Sequence, residues 1–125
     1  MPIVVEVPAR PDHVHILRAV VASVAARLDV PYDVIEDLKI AVHEACAQLL
    51  ESTTGTTLRF TIDTSSGGLE IAAATDDQDA AWPPEGFESS LTWHVLSALT
   101  DETSFERDGG PVLRFTKRTL EREDG

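Results

Sequence analysis

The 125-residue chain carries 22 acidic and 10 basic side chains, a formal net charge of −12. A field of that sign repels phosphate backbones and favours basic protein surfaces, so no direct nucleic-acid partner is expected. Hydrophobic residues make up 42% of the chain, enough for one domain burying roughly two-thirds of its unfolded surface, but no apolar run approaches the about 20 residues that cross a bilayer, and no membrane partner is expected.

The start, Met1-Pro2-Ile3-Val4-Val5-Glu6, lacks the basic segment of a secretory signal, and a cytoplasmic location is expected. Ile3, Val5 and Val7 alternate with more exposed positions, which predicts a first strand ended by Pro8 and Pro11. Asp12 is the expected N-cap of a first helix whose core stripe is Val14, Leu17, Val21, Val24 and Leu28. Pro31 separates it from a second helix, beginning near Asp33 and ending before Gly55. There Leu38, Ala41, Ala45 and Leu49 recur at helical spacing, while Glu44 and Gln48 fall one turn apart on a face beside them. A polar pair bordering the core is placed to line a site. Cys46, the one cysteine, rules out an intrachain disulfide and a multi-Cys zinc motif, and reads as a small buried apolar residue.

Leu58, Phe60 and Ile62 alternate with Arg59, Thr61 and Asp63, which predicts a strand, and Ser65-Ser66-Gly67-Gly68 turns it into a hairpin with Leu69, Ile71 and Ala73. Residues 76–89, with their acids, Pro83, Pro84 and Gly86, predict a long loop. A third helix near 90–99 and two closing strands, about 103–106 and 112–117, complete a single domain over 1–120. The charged tail 121–125 is expected to fray. Hairpins with helices clustered between them predict an α+β, two-layer α/β sandwich of order β-α-α-β-β-α-β-β rather than a doubly wound sheet. His13, His15, His43 and His94 place no two on one helix face, so a zinc site is not expected.

Glu44-Ala45-Cys46-Ala47-Gln48 resembles the Glu-Ala-x-x-Asn helix of the anti-sigma-factor protein kinases of the RsbW and SpoIIAB type, members of the GHKL ATPase superfamily. Val7-Pro8-Ala9-Arg10-Pro11, ahead of an amphipathic helix, resembles the start of those proteins. Ala98-Leu99-Thr100-Asp101-Glu102 is similar to their Ala-Leu-Met-Asp-Glu segment, and Gly109-Gly110-Pro111-Val112-Leu113-Arg114-Phe115-Thr116-Lys117 to their closing Gly-Gly-Thr strand. Ser90-Leu91-Thr92-Trp93-His94-Val95-Leu96 is most similar to the actinobacterial, UsfX-type branch. Nearly the whole chain is covered. The resemblance implies the GHKL (Bergerat-type) ATP-binding fold, with three helices on one face of a mixed, largely antiparallel sheet, and a homodimer.

It also implies roles for single residues. Glu44 takes the place of the general base that activates an acceptor serine, a role that needs a carboxylate within hydrogen-bond reach of the hydroxyl. Gln48 takes that of the magnesium ligand, Asp76 that of the residue recognising the adenine amino group, and Arg18 that of an arginine contacting sigma and anti-anti-sigma partners. Gln78, Thr92, Gly109 and Gly110 fall in the segments around the nucleotide.

Several of these positions depart from the family pattern. The extra methylene of Gln48 displaces its amide oxygen by about a bond length, where magnesium demands near-ideal octahedral geometry. Asp76-Asp77-Gln78-Asp79-Ala80 stands in place of Asp-x-Gly-x-Gly, and Ser90-Leu91-Thr92-Trp93 in place of the second glycine loop. Glycines that would let backbone approach phosphate are therefore missing. Asp77 and Asp79 repel a triphosphate, and Pro111 removes the hydroxyl and the N–H of the usual threonine. Trp93 either fills space a nucleotide occupies in relatives or is a plain core tryptophan.

The function expected is an anti-sigma factor that sequesters a stress- or sporulation-type sigma factor and is released by a STAS-domain anti-anti-sigma factor, with neither ATP nor magnesium kept as cofactor. The alternatives are an active ATP-dependent serine kinase acting on that antagonist, with Glu44 as base, and an interaction module for another signalling partner.

Overall fold

A computed structural model of the chain describes residues 2–64 and 67–118. Ser65 and Ser66 of the expected turn, and the expected frayed tail, lie outside the described residues. The elements are β1 (Ile3–Pro8), α1 (Val14–Arg27), α2 (Tyr32–Ser52), β2 (Thr57–Asp63), β3 (Gly68–Thr75), α3 (Leu91–Leu99), β4 (Glu102–Arg107) and β5 (Pro111–Arg118), with short 3-10 turns at Pro11–His13 and Phe87–Ser89. This is the order expected.

The strands form one sheet, β1-β2-β3-β5-β4, and each of its four pairings is antiparallel. The expectation of a mixed sheet is corrected on this point. β3 and β4, joined through α3, do run in the same direction, but β5 lies between them and pairs antiparallel with both. The same-direction relation therefore never becomes a ladder.

One sheet face builds the core. The register carries Val5, Phe60, Ala73, Leu113 and Phe105 across the five strands in one row, and Ile3, Ile62, Ile71, Phe115 and Thr103 in the next. Against these rows pack Leu17 and Val21 of α1, Leu38, Ala45 and Leu49 of α2, and Leu96 of α3. The opposite face is polar, with Glu6 pairing Arg59 at 3.2 Å and Glu106 pairing Arg114 at 2.7 Å, the alternation of an antiparallel sheet with one solvated side. The most exposed apolar residues of the sheet are Ile3 and Val4, 43% and 46% exposed, on the edge strand β1.

Two local expectations around α1 are corrected. Asp12 is not its N-cap: Pro11 starts a 3-10 turn that contains Asp12, and the carboxylate accepts from Arg10 Nε at 3.2 Å instead. Leu28 is exposed rather than buried, because α1 closes in a Schellman motif. Asp29 adopts φ 59 and donates to Ala26 O, while Val30 donates to Ala25 O at 3.2 Å. The αL residue turns the chain so that Val30, three residues past the helix, becomes buried in Leu28's expected place.

Phe60 is fully buried at the centre of the inner face. Phe60→Ala should lower unfolding free energy by about 3–5 kcal/mol, measured by chemical denaturation; a change under about 1 kcal/mol would show that the core row does not carry the fold.

Candidate functional site

α2 sets one wall of the region that the sequence singles out. Its 21 residues span about 31 Å at 1.5 Å per residue, and Leu38, Ala41, Val42, Ala45, Cys46 and Leu49 are buried along it. Glu44 and Gln48 lie at the border of that stripe, both half-buried. The Gln48 amide nitrogen donates to the Ser52 hydroxyl one turn further on. Between them burial pushes the Cys46 thiol up to about 12, which leaves it an unreactive packing residue.

The segment after β3 is tied down on one side by carboxylates. Asp76 Oδ1 accepts from the backbone N–H of Thr56 at 2.7 Å and of Thr57 at 3.1 Å, and Oδ2 accepts from the Thr56 hydroxyl at 2.8 Å. Asp77 accepts from the Thr54 N–H at 2.8 Å and hydroxyl at 3.2 Å, and from the Asp79 N–H at 3.2 Å. The Thr56 hydroxyl, followed by the Thr57 amide, holds Asp76 below the usual carboxylate value, and the Thr54 amide does the same to Asp77. Gly55 is required in this clasp, since a Cβ there would lie 2.4 Å from Asp76 Oδ1.

Arg107, at the end of β4, holds the other side. Its Nη1 donates to Ala80 O at 2.6 Å and its Nη2 to Gln78 O at 2.7 Å. Gln78 therefore serves the site through its backbone, and its side chain is exposed. Gly109 and Gly110 shape the β4–β5 turn with φ 74 and 149. A Cβ on Gly110 would come within 2.4 Å of Thr75 O, so this glycine lets the turn press against the start of the clasped loop.

The chain then enters an aromatic cluster. Phe87 stands 5.5 Å, centroid to centroid, from each of Trp82, Trp93 and Phe105. Trp82 and Phe87 are buried and belong to the core. Ser90 caps α3 by accepting from the Trp93 N–H at 3.1 Å, which leaves Thr92, half-buried, in the helix's first turn. Trp93 is thus a packing residue of this cluster.

Arg18 lies apart from these groups. It is half-buried on α1 and lines a depression of about 350 Å³ with Glu36, Lys39, Ile40 and His43 of α2. Glu36 is engaged by Lys39 at 3.1 Å. Among the described residues, every arginine and lysine other than Arg18 and Arg27 is held by a carboxylate or a backbone carbonyl. No group of three His, Cys, Asp or Glu side chains that could hold a metal ion gathers among the described residues, and none of the helices described is long and apolar enough to cross a membrane.

Residues 7–117 match the histidine kinase-like ATPase domain family. Serine-protein kinase RsbW of Bacillus subtilis is 49% identical over 131 aligned positions, covering 90% of this chain and 82% of that protein. The chain belongs to the RsbW family. Anti-sigma-F factor RsbW of Mycobacterium tuberculosis is 34% identical over 106 positions, covering 82% of this chain, and the chain spans 60% of that protein's length. A crystal structure of the RsbU and RsbW domains of a Mycobacterium tuberculosis protein shares the fold, with TM-score 0.72 at 16% identity over 94% of this chain and 32% of the other.

Sequence reasoning identified Asp76 and the glycine pair but not what they touch. Thr54, Thr56 and Arg107 were missed, because their partners lie 20 to 29 residues away in the chain and no local pattern reports such contacts.

The depressed Asp76 value has a definite sign. Its ties contribute fully above the unfolded carboxylate value of about 3.9 and are lost as pH falls through the lower folded value. The Thr56 and Thr57 amide resonances should titrate together below about pH 4, and Asp76→Asn should abolish that titration. Amide shifts that stay flat in the wild-type protein would show that the clasp does not form in solution.

Proposed function

We propose that this chain is an anti-sigma factor that works by binding: it sequesters an alternative sigma factor and releases it when a STAS-domain anti-anti-sigma factor competes. The regulation is then mass action between mutually exclusive complexes. Relatives named anti-sigma-F factor and serine-protein kinase support the class of partner. The net charge of −12 supports a basic one, as a factor that meets promoter DNA must be. Partner switching of this kind takes place in the cytoplasm, as part of a stress-type response.

The observation that carries the binding-only reading is the clasped loop. The groups at Asp76, Gln78 and Gln48 are engaged by Thr56, Arg107 and Ser52, and the glycines that would admit phosphate are replaced by side chains. These residues do not fit a nucleotide with magnesium, and Glu44 is left as a half-buried helix carboxylate without a substrate to serve. Arg18, half-buried and uncommitted, is the anchor we assign to the partner surface.

Each alternative sigma factor of the source cell, expressed singly, tests the reading. One of them should form a complex without nucleotide, and Arg18→Ala should weaken it by about 1–3 kcal/mol at unchanged melting temperature. Calorimetric titration with ATP and magnesium should give no micromolar binding. A micromolar dissociation constant, or transfer of labelled phosphate to a STAS protein, would install the kinase reading, with Glu44 as base.

We also propose a homodimer. Its apolar contact is the β1 edge, where Ile3 and Val4 are exposed and the one carboxylate, Glu6, is balanced by Arg59, rather than the polar outer sheet face. Light scattering at micromolar concentration should give twice 13.6 kDa; monomer alone would refute it.

A further inference from the structure

α3 is anomalous for a surface helix. Its nine residues, Leu-Thr-Trp-His-Val-Leu-Ser-Ala-Leu, contain no Asp, Glu, Lys or Arg, yet Leu96 alone among them is buried. Leu91 is 79% exposed, the most exposed large hydrophobic residue described. His94 and Ala98 are also exposed and Val95 is half-buried. Positions 91, 94, 95 and 98 are spaced i, i+3, i+4 and i+7, which puts them on one helix face, opposite the Trp93 and Leu96 side that packs inward. An apolar stripe of that kind on a chain with 26% charged residues has a water-exposed cost that a partner would remove.

The surroundings state the partner's charge. Glu85 and Glu88, immediately ahead of α3, are both exposed, and neither belongs to an ion pair or hydrogen bond among the described residues. On the stripe itself, His94 Nδ1 lies 2.7 Å from the Ser90 carbonyl. Its Nδ1 therefore donates to that carbonyl. An apolar face preceded in the chain by two exposed, uncommitted carboxylates is the complement of an apolar helix face bordered by lysine or arginine. A second copy of this chain would meet those carboxylates with its own, and an anionic lipid surface would be repelled by them.

We propose that the Leu91–His94–Val95–Ala98 face of α3 docks an amphipathic helix with a basic rim, carried by the sigma factor. This rests on the anti-sigma reading above and adds a second contact region to the one at Arg18.

The test uses the full chain and the sigma factor that binds it. Leu91→Asp should weaken that complex at least tenfold with no loss of melting temperature, since the side chain is already in water. The double variant Glu85→Lys, Glu88→Lys should slow association and flatten its dependence on salt. If Leu91→Asp leaves the affinity unchanged while Arg18→Ala reduces it, the α3 face is not a docking surface and the anti-sigma reading stands. If Leu91→Asp instead lowers the mass seen by light scattering and spares sigma binding, the face is a contact between copies and the proposal is overturned. If no sigma factor binds the wild-type chain, the anti-sigma reading itself falls, and this proposal with it.

Discussion

The packing of α2 across the inner face of the sheet is the constraint on which the other features depend. Six of its side chains are buried, and they fix both the rotation and the depth of the helix. Rotation decides that Glu44 and Gln48 sit at the border instead of in the core or in open solvent. It also decides that Glu36, Lys39, Ile40 and His43 face the groove shared with Arg18. The end of the same helix delivers Thr53–Thr57 to the point where Asp76 and Asp77 leave β3. A shift of one residue in α2 would move all three regions at once, because a helix buried at this density cannot rotate without opening voids.

Charge acts at a different level. With 22 acids against 10 bases, most cations are neutralised within the chain, and their pairs are largely exposed, where each is worth little to stability. Their effect is on recognition. The outer sheet face carries the pairs Glu6–Arg59 and Glu106–Arg114 beside the carboxylates of Glu70 and Glu102, so it is polar with an acidic excess. Among the groups without a partner, Arg18 on α1 and Glu85 and Glu88 before α3 mark surfaces of opposite sign. A partner that satisfied both would need a basic rim and an acidic or polar tip, which is a more specific requirement than net charge alone imposes.

The fold was legible in the sequence to the extent that it is local. Periodicity found both long helices, since buried positions recur every turn, and alternation found the strands through Leu58, Phe60 and Ile62. What was misjudged depended on neighbours. Asp12 has the chemistry of a cap, but Pro11 commits the backbone to a 3-10 turn and Arg10 takes the carboxylate. Leu28 fits the helical stripe, but the left-handed Asp29 ends the helix first and gives the core to Val30. The antiparallel sheet could not be separated from a mixed one, because the insertion of β5 between β3 and β4 is a pairing choice that no segment carries by itself.

The candidate site shows the same limit more sharply. Loss of glycine at Gln78 and in 90–93 was readable directly, and so was the intact Asp76. What the chain put in place of a flexible loop was not. The carboxylates of Asp76 and Asp77 close on Thr54–Thr57 from one side, Arg107 closes on Gln78 and Ala80 from the other, and Gly110 lets the turn after β4 approach Thr75. Each tie joins segments well apart in the chain, which strand pairing brings together. A loop that has lost its early glycines could have been merely stiff; this one is anchored by two carboxylates and a two-pronged arginine, and Phe87 then seats it against Trp82, Trp93 and Phe105. The same ordering holds Glu88 and Ser90 at the head of α3, so the closed loop and the exposed apolar helix are consequences of one arrangement.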